Sequence, residues 1–201
     1  MRFIGITGGV GAGKSAILSY LKQKEGVRVM LADEIAHELM EPGTDCYKEI
    51  RSVFLNEDIY AADGRFDRQK LARFIFSDTQ KRELLNAIVH PAVKEYVICQ
   101  AEKEKQAGRL EFLFLEAALL IEEHYDAICD ELWYIYTNEE NRRKRLIASR
   151  GYSDAKIDGI FASQLSEDEY RRYCREVIDN NGTPEQAYEQ IEKALRRNTD
   201  E

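Results

Sequence analysis

Gly8-Gly9-Val10-Gly11-Ala12-Gly13-Lys14-Ser15 spells G-x-x-x-x-G-K-S. It stands between an apolar run, Arg2-Phe3-Ile4-Gly5-Ile6-Thr7, and a helical opening, Ala16-Ile17-Leu18-Ser19-Tyr20-Leu21. This context narrows the fold, because the motif works only where a buried strand turns directly into a helix. Glycines let the backbone N–H groups turn inward around an anion, and the helix N-terminus adds partial positive charge. Lys14 can reach β- and γ-phosphates, and the Ser15 hydroxyl suits Mg²⁺. A glycine-rich turn without a ligand is the plain alternative, but strand, loop, Lys-Ser and helix are all in place. The chain is therefore expected to bind a nucleoside triphosphate through Gly9, Val10, Gly11, Ala12, Gly13, Lys14, Ser15 and Ala16.

The rest of the chain must supply a sheet. Val27–Ala32 reads as a second strand ending at Asp33, and a strand–helix–strand unit of this length implies a right-handed parallel crossover. Leu110–Leu115 reads as a strand ending at Glu116, Leu132–Tyr136 as another, and Glu176–Ile178 as a short last one. Between 34 and 108 no strand pattern appears. Apolar residues there recur at three- and four-residue intervals, with Asp67 as an N-cap and Pro91 opening a further helix. A charged helix is expected from Asn138 to about Ser149. Gly151 breaks it, Ser153 caps the next helix, and Thr183-Pro184 opens a C-terminal one. Strands alternating with helices indicate an α/β domain with a mainly parallel sheet. Ligands bind outside the C-terminal ends of such strands, where the P-loop, Asp33 and Glu116 all fall.

The formal net charge of −8 over 201 residues argues against general nucleic-acid or anionic-membrane binding. Positive charge for a polyphosphate must then be concentrated locally, in the P-loop and in Arg142, Arg143, Lys144, Arg145 and Arg150. Arg142 and Arg145 are three apart and share a helix face; pairing of this run with Glu139 and Glu140 on a solvated face is the alternative. No stretch of 18 apolar residues occurs and the N-terminus lacks a signal-peptide pattern, so a cytoplasmic protein is expected. Cys46, Cys99, Cys129 and Cys174 have no metal-ligand spacing and read as reduced thiols.

Among possible chemical groups, Asp33 can orient a hydroxyl nucleophile and accept its proton, or cap a helix. Glu116 can hold magnesium through water, bind substrate, or cap. Glu122 is less distinctive, and His90, before Pro91, reads as lying between two helices. Val177-Ile178-Asp179-Asn180-Asn181-Gly182 is a strand feeding a tight turn that could touch a nucleotide base. A guanine-binding Asn-Lys-x-Asp motif is absent, which argues against a GTPase switch.

Taken in order, Gly5–Ser15, Ala32-Asp33, Pro42-Gly43-Thr44, Asp63–Arg68 with Leu71, Leu85–Val93, Leu119–Glu122, Arg145 with Gln164, and Val177–Gly182 resemble the dephospho-coenzyme A kinase family over nearly the whole chain. The resemblance implies a P-loop kinase core of five parallel strands flanked by helices (1–33 and 109–201). It also implies a lid near 140–165 and a helical substrate-binding part over 34–108. The implied reaction is ATP-dependent phosphorylation of the ribose 3′-hydroxyl of dephospho-CoA with Mg²⁺, by a monomer or weak oligomer. Asp33 matches the base, Lys14 the phosphate lysine, Ser15 the Mg²⁺ ligand and Arg145 the lid arginine at the transferred phosphate. Arg142, Asn180 and Gly182 are expected at ATP, and Asp33, His90 and Glu122 at the acceptor. Four departures stand out. Glu116 replaces an aspartate, Ala118 a proline, and Cys174-Arg175 an Ala-Asp pair; Ser149 occupies the second lid-arginine position, with Arg150 one residue later. The same loop would serve a kinase for another nucleotide or nucleoside, or an ATP-binding protein with impaired catalysis.

Overall fold

Four of the five strands are almost wholly apolar, and this sets the architecture: strands without a polar face must be covered on both sides. In the computed structural model, residues 1–197 are described. They form a five-stranded parallel sheet flanked by helices, in the order β2-β3-β1-β4-β5. The strands are β1 (Arg2–Thr7), β2 (Val27–Leu31), β3 (Phe112–Glu116), β4 (Glu131–Tyr136) and β5 (Glu176–Asp179). Register aligns their C-terminal ends. Ile6 pairs with Glu116, Thr7 with Tyr134 and Tyr136 with Asp179, so the loops that follow β1, β3, β4 and β5 leave from one rim. Phe3, Ile4, Ile6, Leu113, Phe114, Leu115, Leu132, Trp133 and Ile135 are buried. The larger of these side chains contribute about 1.5–3 kcal/mol each. Helix α1 (Lys14–Leu21) buries Ile17, Leu18 and Leu21, and the C-terminal helix 184–196 stacks Tyr188 on Tyr20 with ring centroids 3.9 Å apart.

Two compact units are distinguishable: residues 1–29 with 104–201, and residues 30–103. The second holds α2 (Ala32–Leu39), α3 (Asp45–Val53), α4 (Arg68–Ser77) and most of α5 (Thr79–Ala107). Asp67 caps α4 by accepting from the N–H groups of Gln69 and Lys70, as the sequence suggests. Within this unit the Phe66 ring packs against Tyr47 and Tyr60, the Arg51 guanidinium lies over both tyrosine rings, and Arg51 donates to the Tyr47 hydroxyl at 2.8 Å. The first unit completes itself with α6 (Glu139–Arg150), α7 (Asp154–Ala162), α8 (Glu167–Tyr173) and α9 (Pro184–Arg196). Ser153 and Thr183 act as N-caps, and Pro184 takes the first turn of α9.

Three local readings need correction. Pro91 does not open a helix; it lies inside α5, which runs unbroken for 29 residues, so His90 is not between helices. An internal proline costs about 3 kcal/mol. However, Leu85, Val89, Val93 and Val97 are buried at successive four-residue steps on both sides of it, and this continuous stripe outweighs the lost hydrogen bond. Strand β2 stops at Leu31, and Asp33 is the second residue of α2, not its cap. The cap position falls on Leu31, because the chain passes from strand to helix without an intervening loop. Strand β3 begins at Phe112, two residues later than its apolar run implies.

Candidate active site

The helix after β1 starts without a side-chain cap. Gly13 occupies the N-cap at φ 87° with no side chain to accept from the helix N–H groups, and no acidic residue stands in the first turn of α1. The first N–H groups of a helix have no partner inside it and carry partial positive charge. Here no carboxylate of their own turn competes for them, the arrangement that accepts an anion. The loop closes on itself through Ala12 N–H donating to the Gly9 carbonyl at 3.0 Å. Glycine is required at two of these positions. Gly13 combines positive φ with Asn180 Nδ2 only 2.5 Å from where a Cβ would stand, and Gly8 combines positive φ with the Ile135 carbonyl oxygen 2.6 Å from its own Cβ position.

Lysine and arginine close around this turn. Lys14 Nζ donates to the Gly8 carbonyl at 2.7 Å and lies 3.7 Å from Glu116 Oε1. The glutamate that replaces the expected aspartate thus still reaches the lysine. Ser15 and Ala16 are exposed at the start of α1. Helix α6 begins at Glu139 with Asn138 as its cap, and it divides the basic run by face. Arg143 bonds Asp154 at 2.9 Å, Asp158 at 2.6 Å and Glu139 at 3.3 Å, tying α6 to α7, while Lys144 pairs with Glu140. For these two residues the solvated ion-pair alternative is the observed one.

Arg142 and Arg145 face the loop. Arg142 Nε donates to the Val10 carbonyl at 2.9 Å, its Nη2 bonds the Gln164 side chain, and its guanidinium lies 4.3 Å from the centre of the Phe161 ring. Burial pulls the Arg142 pKa below its ordinary value. Beside it Tyr134 and Tyr170 stack at 4.7 Å, and burial pushes each phenol up to about 12. Gln164 therefore meets Arg142, not the Arg145 with which it was grouped in sequence. Arg145 Nη1 donates to the Ala12 carbonyl at 3.1 Å and to Thr137 Oγ1 at 3.2 Å, and its Nη2 donates to the Asn180 carbonyl at 2.7 Å.

The loop after β5 also reaches this rim. Asn180 Nδ2 donates to the Ala12 carbonyl at 2.7 Å. Asn181 Oδ1 accepts from the Asn138 N–H and from Asn141 Nδ2. Gly182 has no room for a Cβ against the Gln186 side chain, which caps α9.

The remaining expected residues lie on other elements. Glu122 is exposed in the turn after β3, where its charge helps raise the Tyr170 phenol. Arg150 is the last residue of α6, exposed and 5.8 Å from the Tyr152 ring centre; Ser149 donates to the Arg145 carbonyl. Because the helix runs through Arg150, that side chain sits about 100° from the position four residues after Arg145. Arg175 has its Nε 3.7 Å from buried Glu131, so the reversed charge has a partner. Asp33 and His90 belong to the second unit. Asp33 is exposed in the first turn of α2, and His90 is half-buried midway along α5. Thr137, buried between β4 and α6, escaped the sequence reading. A threonine directly after the apolar run Leu132–Tyr136, at the C-terminal end of a parallel strand where sheets of this kind bind ligands, is the signal that could have found it.

Among the described residues no cluster of three or more His, Cys, Asp or Glu side chains could hold a metal, and no helix is long and apolar enough to cross a membrane. The dephospho-CoA kinase family matches residues 2–186. A dephospho-CoA kinase from Symbiobacterium thermophilum is 37% identical, with 98% of this chain and 81% of that protein covered. One from Shouchella clausii is 35% identical, with 98% and 99% covered. A crystal structure of a Thermus thermophilus protein superposes with a TM-score of 0.76 at 30% identity, covering 96% of this chain and 95% of that one. Shikimate kinase from Acinetobacter baumannii, at 14% identity, TM-score 0.52 and coverage of 98% and 92%, shares the fold alone.

Proposed function

The chain belongs to the dephospho-CoA kinase family and catalyses ATP-dependent phosphorylation of dephospho-CoA in coenzyme A biosynthesis; for that reaction we propose the following division of labour among its residues. The turn Gly9–Ser15 and the first N–H groups of α1 bind the ATP phosphates, with Lys14 on the β- and γ-groups. Arg142 and Arg145 add positive charge from α6, Arg145 acting toward the transferred group, and the loop at Asn180 and Gly182 borders the base. His90 and Glu122 are assigned to the acceptor.

Asp33 orients the ribose 3′-hydroxyl and accepts its proton. The hydroxyl oxygen forms the new bond to the γ-phosphorus, the bond from γ-phosphorus to the bridging oxygen breaks, and ADP leaves with that electron pair. Positioning and charge stabilisation account for most catalysis in this class. The exposed Ser15 hydroxyl is a hard oxygen donor suited to Mg²⁺, an ion that proteins commonly hold through one or two ligands with substrate phosphates and water. When bound, Mg²⁺ neutralises charge on the β- and γ-oxygens.

The observation that supports this reading best is the uncapped, acid-free start of α1 with Lys14, Arg142 and Arg145 all bonded to carbonyls of the loop. We further read the protein as a cytoplasmic monomer or weak oligomer acting on a small molecule, independent of nucleic acid and membrane, in keeping with its net charge of −8. Asp33→Asn tests the assignment of the base. Turnover is expected to fall ~10²–10⁴-fold while the ATP dissociation constant changes less than about twofold, since uniform binding is untouched. Unaltered turnover would remove Asp33 from the mechanism.

A further inference from the structure

Three donors from three elements converge on one carbonyl oxygen of the phosphate loop. The Ala12 carbonyl accepts from Asn180 Nδ2 at 2.7 Å, Thr137 Oγ1 at 3.0 Å and Arg145 Nη1 at 3.1 Å. Arg145 closes the ring, donating also to Thr137 Oγ1 at 3.2 Å and to the Asn180 carbonyl at 2.7 Å. Ala12, Thr137 and Asn180 are 1%, 3% and 8% exposed, so the bonds among these three are shielded from water, while those of Arg145 are part-buried. In such a loop the N–H groups face the anion and the carbonyls face away, so this clamp grips the outside of the turn. It grips where the turn is set, since Asn180 Nδ2 packs against Gly13, the left-handed residue from which α1 starts.

We infer that Thr137 is a positioning residue for ATP: its hydroxyl donates to Ala12, accepts from Arg145, and so fixes the aim of the loop N–H groups together with the place of the Arg145 guanidinium. A single hydroxyl is the joint between three pieces that meet the same nucleotide: the phosphate loop, the basic face of α6, and the loop from Asn180 to Gly182. Valine fills nearly the same volume and removes the hydroxyl's bonds to the Ala12 carbonyl, the Asn180 carbonyl and Arg145. Arg145 Nη1 then loses an acceptor in a part-buried place, and hydrogen bonds to charged groups carry more than neutral ones. The inference rests on the assignment of ATP to the loop 8–15.

The test compares wild type, Thr137→Val, Thr137→Ser and Asn180→Ala in steady-state kinetics against ATP and against dephospho-CoA, with ADP titrated calorimetrically and the thermal midpoint recorded for each. Thr137→Val is expected to raise both the KM for ATP and the ADP dissociation constant about tenfold, about 1.4 kcal/mol, and to leave the KM for dephospho-CoA unchanged. Thr137→Ser, which keeps the hydroxyl, is expected to recover the wild-type ATP constants. Asn180→Ala, which removes the shortest donor to Ala12, is expected to act in the same direction and keeps the clamp testable should Thr137→Val not fold. Wild-type ATP constants in both Thr137→Val and Asn180→Ala would overturn the clamp and leave the nucleotide site standing. An equal loss in Thr137→Val and Thr137→Ser, or an equal rise in both KM values, would mean that packing alone is at work. Absence of ADP binding by the wild type would overturn the site and the clamp together.

Discussion

Removing Arg2 should expose how the sheet tolerates a buried charge at the edge opposite the active site. Glu131 begins β4 with its side chain only 4% exposed. It is ion-paired to Arg2, accepts from Trp133 Nε1 at 3.1 Å, and lies 3.7 Å from Arg175 Nε. Breaking a buried pair by deleting one partner typically costs 3–5 kcal/mol, because the remaining charge is uncompensated. Arg175 is 59% exposed, so solvent screens much of its help. The Trp133 donor stays, which argues for the low end, about 3 kcal/mol. Arg2→Met keeps an aliphatic stem of similar length but loses the guanidinium that lies 5.4 Å from the Phe112 ring centre and donates to the Leu195 carbonyl. For a chain of this length each kcal/mol shifts the thermal midpoint by about 2–4 °C, giving a drop of about 6–12 °C. Circular dichroism melts would read it. Adding Glu131→Gln should restore most of the loss, since the amide oxygen still accepts from Trp133 and no charge is left bare. A single variant melting within about 1 °C of wild type, or a double variant no better than the single, would refute the reasoning.

Other outcomes follow from the site and the buried thiols and phenols. Lys14→Ala is expected to weaken ATP binding and to lower turnover together, because the proposed role has Lys14 serve ground state and transition state alike; unchanged ATP titration and turnover would contradict the phosphate-loop assignment. Burial pushes the Cys129 and Cys174 thiols from 9.0, and the Tyr125, Tyr134 and Tyr170 phenols from 10.0, up to about 12. Their folded-state values lie above the unfolded ones, so the stability they confer is fully present below pH 9 and is lost as pH climbs from about 9 toward 12. Urea unfolding at a series of alkaline pH values should show a steady fall across that window; a flat profile up to the alkaline end would contradict it.

How much of this was legible in the chain divides along local and non-local lines. The phosphate loop and the caps at Asp67, Ser153 and Thr183 are local devices, fixed by residues within a few positions, and each was readable. Pro91 misled because the rule that proline starts helices is also local. The stripe Leu85, Val89, Val93 and Val97, which overrides it, gains its weight only from burial. Helical spacing shows that Arg142 and Arg145 share a face, but not that this face meets the loop while Arg143 turns to Asp154 and Asp158. Gln164 and Thr137 acquire their roles from partners 22 and 125 residues away, Arg142 and the Ala12 carbonyl. No spacing in the sequence encodes those meetings. Asp33 shows the same limit at small scale: a strand feeding straight into a helix moved the cap to Leu31 and left the carboxylate in the first turn, where the helix dipole favours it.

The most direct measurement is ADP production by the purified protein with ATP and Mg²⁺, with and without dephospho-CoA, with the acceptor product weighed by mass spectrometry. The expected result is turnover that depends on dephospho-CoA and yields coenzyme A. ATP binding without that turnover, or phosphorylation of a different nucleotide or nucleoside in its place, would contradict the assignment of this acceptor to the chain.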